Sequence, residues 1–160
     1  MSLPDKELFT QALGQWMRTS QHFLMRKMSI YAKNNRISVS QLNLMFRMRR
    51  HGAFSVGEVS QMFDFSKPAA SQLLDKLVHM DYLFREESTT DRRIKMHNLT
   101  PKGEDLTQTF FNKIKKYNQE LVDSYEPEEY EIMTYFLTKL TDKLQELPRW
   151  ELPKEEKCLK

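Results

Sequence analysis

The stretch Ser55–Glu86, SVGEVSQMFDFSKPAASQLLDKLVHMDYLFRE, decides how the rest of the chain is read. Ser55 stands three residues before Glu58, the spacing of a capping box, so a helix starts there. Val59, Met62 and Phe63 give that helix an apolar side, and it ends near Met62 or Phe63. Asp64, Phe65 and Ser66 turn the chain. Ser66 is a good N-cap for a second helix. Pro68 falls in its first turn, where a missing N–H does little harm. Ala70, Leu73, Leu74, Leu77 and Val78 then form an inward stripe, leaving Lys67, Ser71, Gln72, Asp75, Lys76 and His79 outside. After Tyr82 the period changes. YLFREES and RRIKMHNLT read as two short strands joined by STTD, a hairpin with a basic tip.

A short helix, a tight turn and a second helix with a small polar outer face make a helix-turn-helix. The second helix of such a motif fits the DNA major groove, about 12 Å wide, with its first residues at the base edges. The candidates are Ser66, Lys67, Pro68, Ala69, Ser71 and Gln72, with Lys76 further along. Ser and Gln donate and accept hydrogen bonds, Ala and Pro suit a thymine methyl, and the lysines suit phosphate or guanine. Arg92, Arg93 and Lys95 on the hairpin suit the adjacent minor groove, whose narrow A·T-rich stretches concentrate negative potential. Asp91 reads as an ion-pair partner that holds one of these arginines.

The flanking segments read as long helices. The first runs from Leu8 to about Lys33, with Phe9, Leu13, Trp16, Phe23, Leu24, Met28 and Tyr31 on one face. The next runs from Ser38 or Ser40 to His51, turns Leu42, Met45 and Phe46 inward, and meets Gly52 at its end. Its run RMRRH puts Arg47, Arg49, Arg50 and His51 where cations favour the helix dipole. Thr100 and Pro101 open a long helix with Leu106, Phe110, Ile114, Tyr117 or Leu121, and Tyr125 on its apolar face. A last helix begins at EPEE, carries Tyr130, Met133, Leu137, Leu140, Leu144 and Leu147, and stops at Pro148. One small lobe does not easily cover these long apolar faces, which points to a second copy of the chain; an intramolecular bundle is the alternative that periodicity leaves open.

Composition sets outer bounds. A chain of 160 residues with 39% hydrophobic and 29% charged residues suits one domain with a real core. Four glycines argue against a fold built from many tight turns. The net charge of +3 favours an anionic partner only slightly, so the placement of charge matters more than its sum. No run approaches the roughly 18 apolar residues of a membrane span, and no secretory leader is visible. The one cysteine, Cys158, lies in a polar tail and excludes an intrachain disulfide, so a cytoplasmic setting is expected. His22, His51, His79 and His97 are scattered and form no helical ligand pair, so no metal and no cofactor are implied. No nucleophile–base pairing or Gly-rich phosphate loop points to an enzyme.

The order of elements resembles the MarR family of winged-helix transcriptional regulators. The stretch DRRIKMHNLTPKG is similar to that family's wing, through Asp91, Arg93, Leu99, Thr100 and Gly103. The helix-turn-helix is similar through Glu58, Ser66, Leu73, Asp75, Lys76 and Leu77. The resemblance implies a mainly α fold with a small β-hairpin wing, in which a winged helix-turn-helix lobe joins terminal helices that form a dimerisation region. It implies a single domain over residues 1–147, with 8–33 and 101–147 as dimerisation helices and 38–100 as the DNA-binding lobe, followed by a flexible tail, 148–160. It implies a homodimer on a pseudo-palindromic site of double-stranded DNA, acting as a repressor and released by a small-molecule effector. Arg93, or its neighbour Arg92, would enter the minor groove. An effector pocket would lie where the dimerisation helices meet the lobe, with Trp16, Met17, Met45 and Phe110 as wall residues; simple core packing is the blander reading of each, and the one favoured. Ile94 and His97 depart from the family pattern, which usually has a small and an apolar residue there. An inward His97 would favour its neutral form; a hydrogen-bonded or partly exposed histidine is the simpler reading, and a proton sensor or effector contact the sharper one. The competing class is a winged helix used for protein interaction without sequence-specific DNA binding.

Overall fold

The computed structural model, which describes residues 6–89, 91–123 and 125–147, contains six helices and a small antiparallel sheet. The helices are α1 (Lys6–Asn34), α2 (Val39–His51), α3 (Val56–Phe63), α4 (Lys67–His79), α5 (Pro101–Val122) and α6 (Pro127–Glu146). The strands are β1 (Phe54–Ser55), β2 (Leu83–Glu87) and β3 (Lys95–Leu99), in the order β1-β3-β2. The fold is mainly α with a β2–β3 wing, as expected. Pro148, the tail with Cys158, and Thr90 lie outside the described residues.

Two helix starts are fixed by reciprocal caps. Ser38 caps α2 while Gln41 reaches back to the Ser38 amide, and Ser55 does the same for α3 with Glu58. Each cap satisfies two backbone donors that the helix itself cannot. Ser66 caps α4 through the Ala69 amide, with Pro68 in the first turn. Gly52, at φ 85°, closes α2 in a conformation that favours glycine. Asp64 and Asp81 take φ of 52° and 62°, which a short polar side chain tolerates better than a branched one.

Chain compactness divides within α5, into residues 1–115 and 116–160. In the first unit the core gathers Leu42, Leu44, Met45 and Met48 of α2, Val59 of α3, Ala70, Leu74 and Leu77 of α4, and Leu83 and Leu99 of the wing. Tyr31 donates to the Leu106 carbonyl at 2.8 Å and meets Phe110 edge to face, which joins α1 to α5. Arg49 has a more specific task than balancing a helix dipole. Its guanidinium donates to the Glu104 carbonyl and the Thr107 hydroxyl, both at 3.2 Å, and to the Gln108 amide oxygen, joining α2 to α5. α1 exposes Leu8, Trp16, Met17, Leu24 and Met25 along much of its length. In the second unit no described residue of α6 is buried, and Ile132, Leu137 and Leu144 stand exposed.

The wing is clasped where it enters and leaves the lobe. The Thr100 amide donates to the Tyr82 carbonyl at 3.0 Å, and the Thr100 hydroxyl donates to the Asp81 carbonyl at 2.7 Å. The same hydroxyl accepts from the Gly103 amide at 3.1 Å, capping α5. A Cβ on Gly103 would lie far inside van der Waals contact with the Tyr82 carbonyl oxygen. Alanine normally favours a helix interior over glycine by up to about 1 kcal/mol. Gly103→Ala is expected instead to destabilise the fold by about 1–3 kcal/mol, the scale of overpacking, read as a lower urea midpoint with the slope unchanged.

Candidate nucleic-acid interface

The apolar stripe of α4 determines what the helix shows. Ala70, Leu74 and Leu77 are fully buried, and Leu73 and Val78 pack against the same core. The opposite face therefore points outward, with Lys67, Pro68, Ala69, Gln72 and Lys76 exposed. Ser66 is exposed but its hydroxyl is engaged in capping the helix. Ser71 is half-buried and donates to Asp75 at 3.3 Å, so it has a structural partner as well. Gln41 reinforces the seat of this helix by donating to the Leu73 carbonyl at 3.2 Å.

At the wing the structure corrects one boundary. β3 begins at Lys95, so Arg92 and Arg93 sit in the turn and not in a strand. Turn bonds account for this: Ile94 N donates to the Asp91 carbonyl at 2.9 Å, and Ser88 N to the Ile94 carbonyl at 3.0 Å. Both arginines are exposed at the tip. Asp91 holds Arg93 through the backbone. Its carboxylate accepts from the Arg93 amide at 2.9 Å, a local turn that a short acidic side chain forms readily. Lys95 faces Glu87 in register across the strands and donates to its carboxylate at 2.8 Å. That hydrogen bond and the lysine's charge lower the Glu87 pKa.

The wing also reaches back to α4, by a route that sequence reasoning missed. Arg85 of β2 donates through one end of its guanidinium to Asp75 of α4, and through Nε to His97 Nε2 at 3.3 Å. His97 is only 2% exposed. It lies opposite Arg85 on one side and Phe54 on the other, in the central strand of the sheet. Because Nε2 accepts, the neutral ring carries its proton on Nδ1. Buried Nδ1 has no partner with hydrogen-bond geometry; the Phe54 backbone lies near without completing a bond. Burial lowers the His97 pKa most, and Arg85 lowers it further, against the Phe54 backbone and Asp75, which pull it up. An open groove of about 550 Å³ separates wing and helix along this line, with Asp75, Arg85 and His97 in its wall.

The expected effector-wall residues divide. Met45 and Phe110 are core residues, 0% and 3% exposed, whereas Trp16 and Met17 lie exposed on α1. Among the described residues no cluster of His, Cys, Asp and Glu is placed to hold a metal ion. No described helix is long and apolar enough to cross a membrane.

Residues 37–94 match the model of the MarR family, which covers α2, the helix-turn-helix and most of the wing. The chain is 26% identical over 94 residues to the HTH-type transcriptional regulator YsmB of Bacillus subtilis, covering 59% of this chain and 64% of that protein. It is 24% identical over 102 residues to the HTH-type transcriptional repressor MdtR of the same organism, covering 64% and 61%. The chain spans between 47% and 64% of the length of the first curated relatives it matches. Among solved structures, a point mutant of Staphylococcus aureus MepR, bound to an oligodeoxyribonucleotide, superposes with a TM-score of 0.61 at 24% identity, covering 83% of this chain and 98% of that one. At that identity the likeness shows a shared fold.

If Asp91 positions the arginine tip through the Arg93 amide, Asp91→Ala leaves the fold intact and frees the turn. The expected result is an unchanged unfolding midpoint with faster hydrogen exchange at Arg93 and Ile94, measured amide by amide.

Proposed function

We propose that this chain, which belongs to the MarR family, is a transcriptional regulator that binds double-stranded DNA in a sequence-specific manner. The observation that carries the reading is the pairing of two exposed features: the polar first turns of α4, and the arginine tip of a wing tied to that helix. In this reading Lys67, Pro68, Ala69, Ser71 and Gln72 read base edges in the major groove, with Ser66 and Lys76 near the backbone. Arg93 and Arg92 enter the neighbouring minor groove. Lys95, paired with Glu87, contributes less than the arginines because a cation already neutralised releases fewer counterions.

The working form is a homodimer. The exposed apolar rows of α1 and α6 support this, because contiguous apolar surface on this scale marks an interface. A two-fold dimer presents two copies of α4 to half-sites spaced by one DNA turn, about 34–36 Å, or a multiple. Repression is the expected sign, since a dimer bound over a promoter excludes other proteins from it, and the likeness to MdtR supports it. A small-molecule effector at the junction of α1, α2 and α5 is the expected means of release, with Trp16 and Met17 as the exposed part of its proposed wall and Met45 and Phe110 reached only as that junction opens.

A selection of genomic fragments with the purified full chain, at two salt concentrations, tests this reading. Enrichment of a palindromic site is expected, with affinity falling steeply as salt rises. Arg93→Ala should weaken binding by about 1–3 kcal/mol. Gln72→Ala should relax sequence preference more than it lowers non-specific affinity. Enrichment of no fragment, with both variants behaving as wild type, would favour the winged helix as a protein-interaction module.

A further inference from the structure

Sheet and α4 are linked by a polar route, Ser71–Asp75–Arg85–His97, and its inner end is a buried histidine that serves as a hydrogen-bond acceptor. We propose that this route is a proton-gated latch between wing and α4, with Arg85 as the positioning residue and His97 as the gate. It rests on the reading of this face as DNA-binding.

The chemistry of the acceptor carries the inference. Neutral His97 offers Arg85 a lone pair on Nε2. A proton on Nε2 turns that acceptor into a donor, so two N–H groups and two positive charges face each other across 3.3 Å. Arginine does not surrender its proton. The site is closed to water on the histidine side, so the repulsion is weakly screened. On the other side Arg85 is about half exposed and borders the open groove. The relief available is for Arg85 to swing into that groove, away from His97, which disturbs its hold on Asp75 and frees wing and α4 to move separately.

Among the described residues no other group supplies the missing acceptor. From β2, Glu86 and Glu87 line the groove, but Glu87 is paired with Lys95 of β3, and Glu86, opposite Met96, alternates to the other face of the sheet from Arg85 and His97. From α4 the acid is Asp75, already bonded to Arg85. β1 offers the Phe54 backbone without a completed bond. The charged last turn of α2, also packed on β3, holds Arg49, Arg50 and His51, all bases. Burial and Arg85 keep the ring neutral at neutral pH, so the latch is closed there. The sign follows from proton binding. Below the ordinary histidine value of about 6.5 the unfolded chain binds the proton first. The stability that a neutral His97 contributes is therefore full above about pH 6.5 and is lost as pH falls from there through the lower folded-state pKa.

The test follows His97 and DNA separately, in the full chain. In wild type without DNA, nitrogen NMR tracks the His97 ring and the Arg85 Nε–H from about pH 8 to about pH 5. Both should change with one shared midpoint, below the ordinary histidine value of about 6.5. Binding to the best fragment from the selection should weaken at least about tenfold between about pH 7.5 and about pH 5.5. His97→Gln keeps an acceptor that does not titrate, and should bind alike at both pH values. His97→Leu removes the acceptor, and should bind more weakly than wild type at the higher pH with little further loss at the lower. Unfolding midpoints at both pH values identify any variant that fails to fold, in which case the wild-type resonances decide. An Arg85 signal indifferent to His97, or acid loss that persists in both folded variants, overturns the latch. Absence of DNA binding at every pH refutes the DNA reading, and the paired resonances still judge the latch.

Discussion

The structure depends on the burial of three side chains on α4. Ala70, Leu74 and Leu77 leave water completely and lock into the core built by α2, α3 and the wing strands. Burying a leucine side chain contributes about 1.5–3 kcal/mol, whereas a half-exposed ion pair such as Asp75–Arg85 contributes at most about 1 kcal/mol. The apolar contact therefore sets where the helix lies, and the polar contacts adjust its neighbours. A rotation of α4 that exposed a different face would have to expose the leucines, so the outward set is fixed by the inward one.

Much of this was legible in the sequence because it rests on local chemistry. Ser55 with Glu58, Ser66 with Pro68, and Thr100 with Pro101 each announce a helix start, and the stripe from Ala70 to Val78 has an unambiguous period. The family resemblance came from similarly local motifs. What escaped notice depends on register and distance. β1 is two residues long, too short to show any alternation, and exists because Phe54 and Ser55 pair with His97 and Met96. Arg85 and His97 meet because they are opposite one another across β2 and β3, which no spacing along the chain announces. Asp91 reads from sequence as an ion-pair partner because its charge is visible there and its reach to a nearby amide is not.

The wing and α4 have different kinds of support. α4 is held by packing on several sides and by Gln41, whereas the wing tip is held by turn bonds and one carboxylate. A rigid helix beside an adjustable tip suits a partner whose two grooves differ in depth and width. The buried His97 stands at the boundary between these two regimes, at a sheet position where an apolar side chain would have packed without any polar requirement.

The joints of the lobe share a further property. Tyr31 donates to a carbonyl, Gln41 to a carbonyl, Thr100 to a carbonyl, and Arg49 to a carbonyl, a hydroxyl and an amide oxygen. All of these acceptors are uncharged. Dissolved electrolyte screens attraction between separated charges over about 8–10 Å at moderate ionic strength, but has little hold on short bonds to neutral oxygens. The lobe is thus assembled from parts that ignore ionic strength, while its outer cations respond to it. Asp75–Arg85 and Lys95–Glu87, each about half exposed on both sides, are the exceptions, and both joints face the groove. A titration with salt therefore reads the surface and those two joints, against a scaffold that stays still.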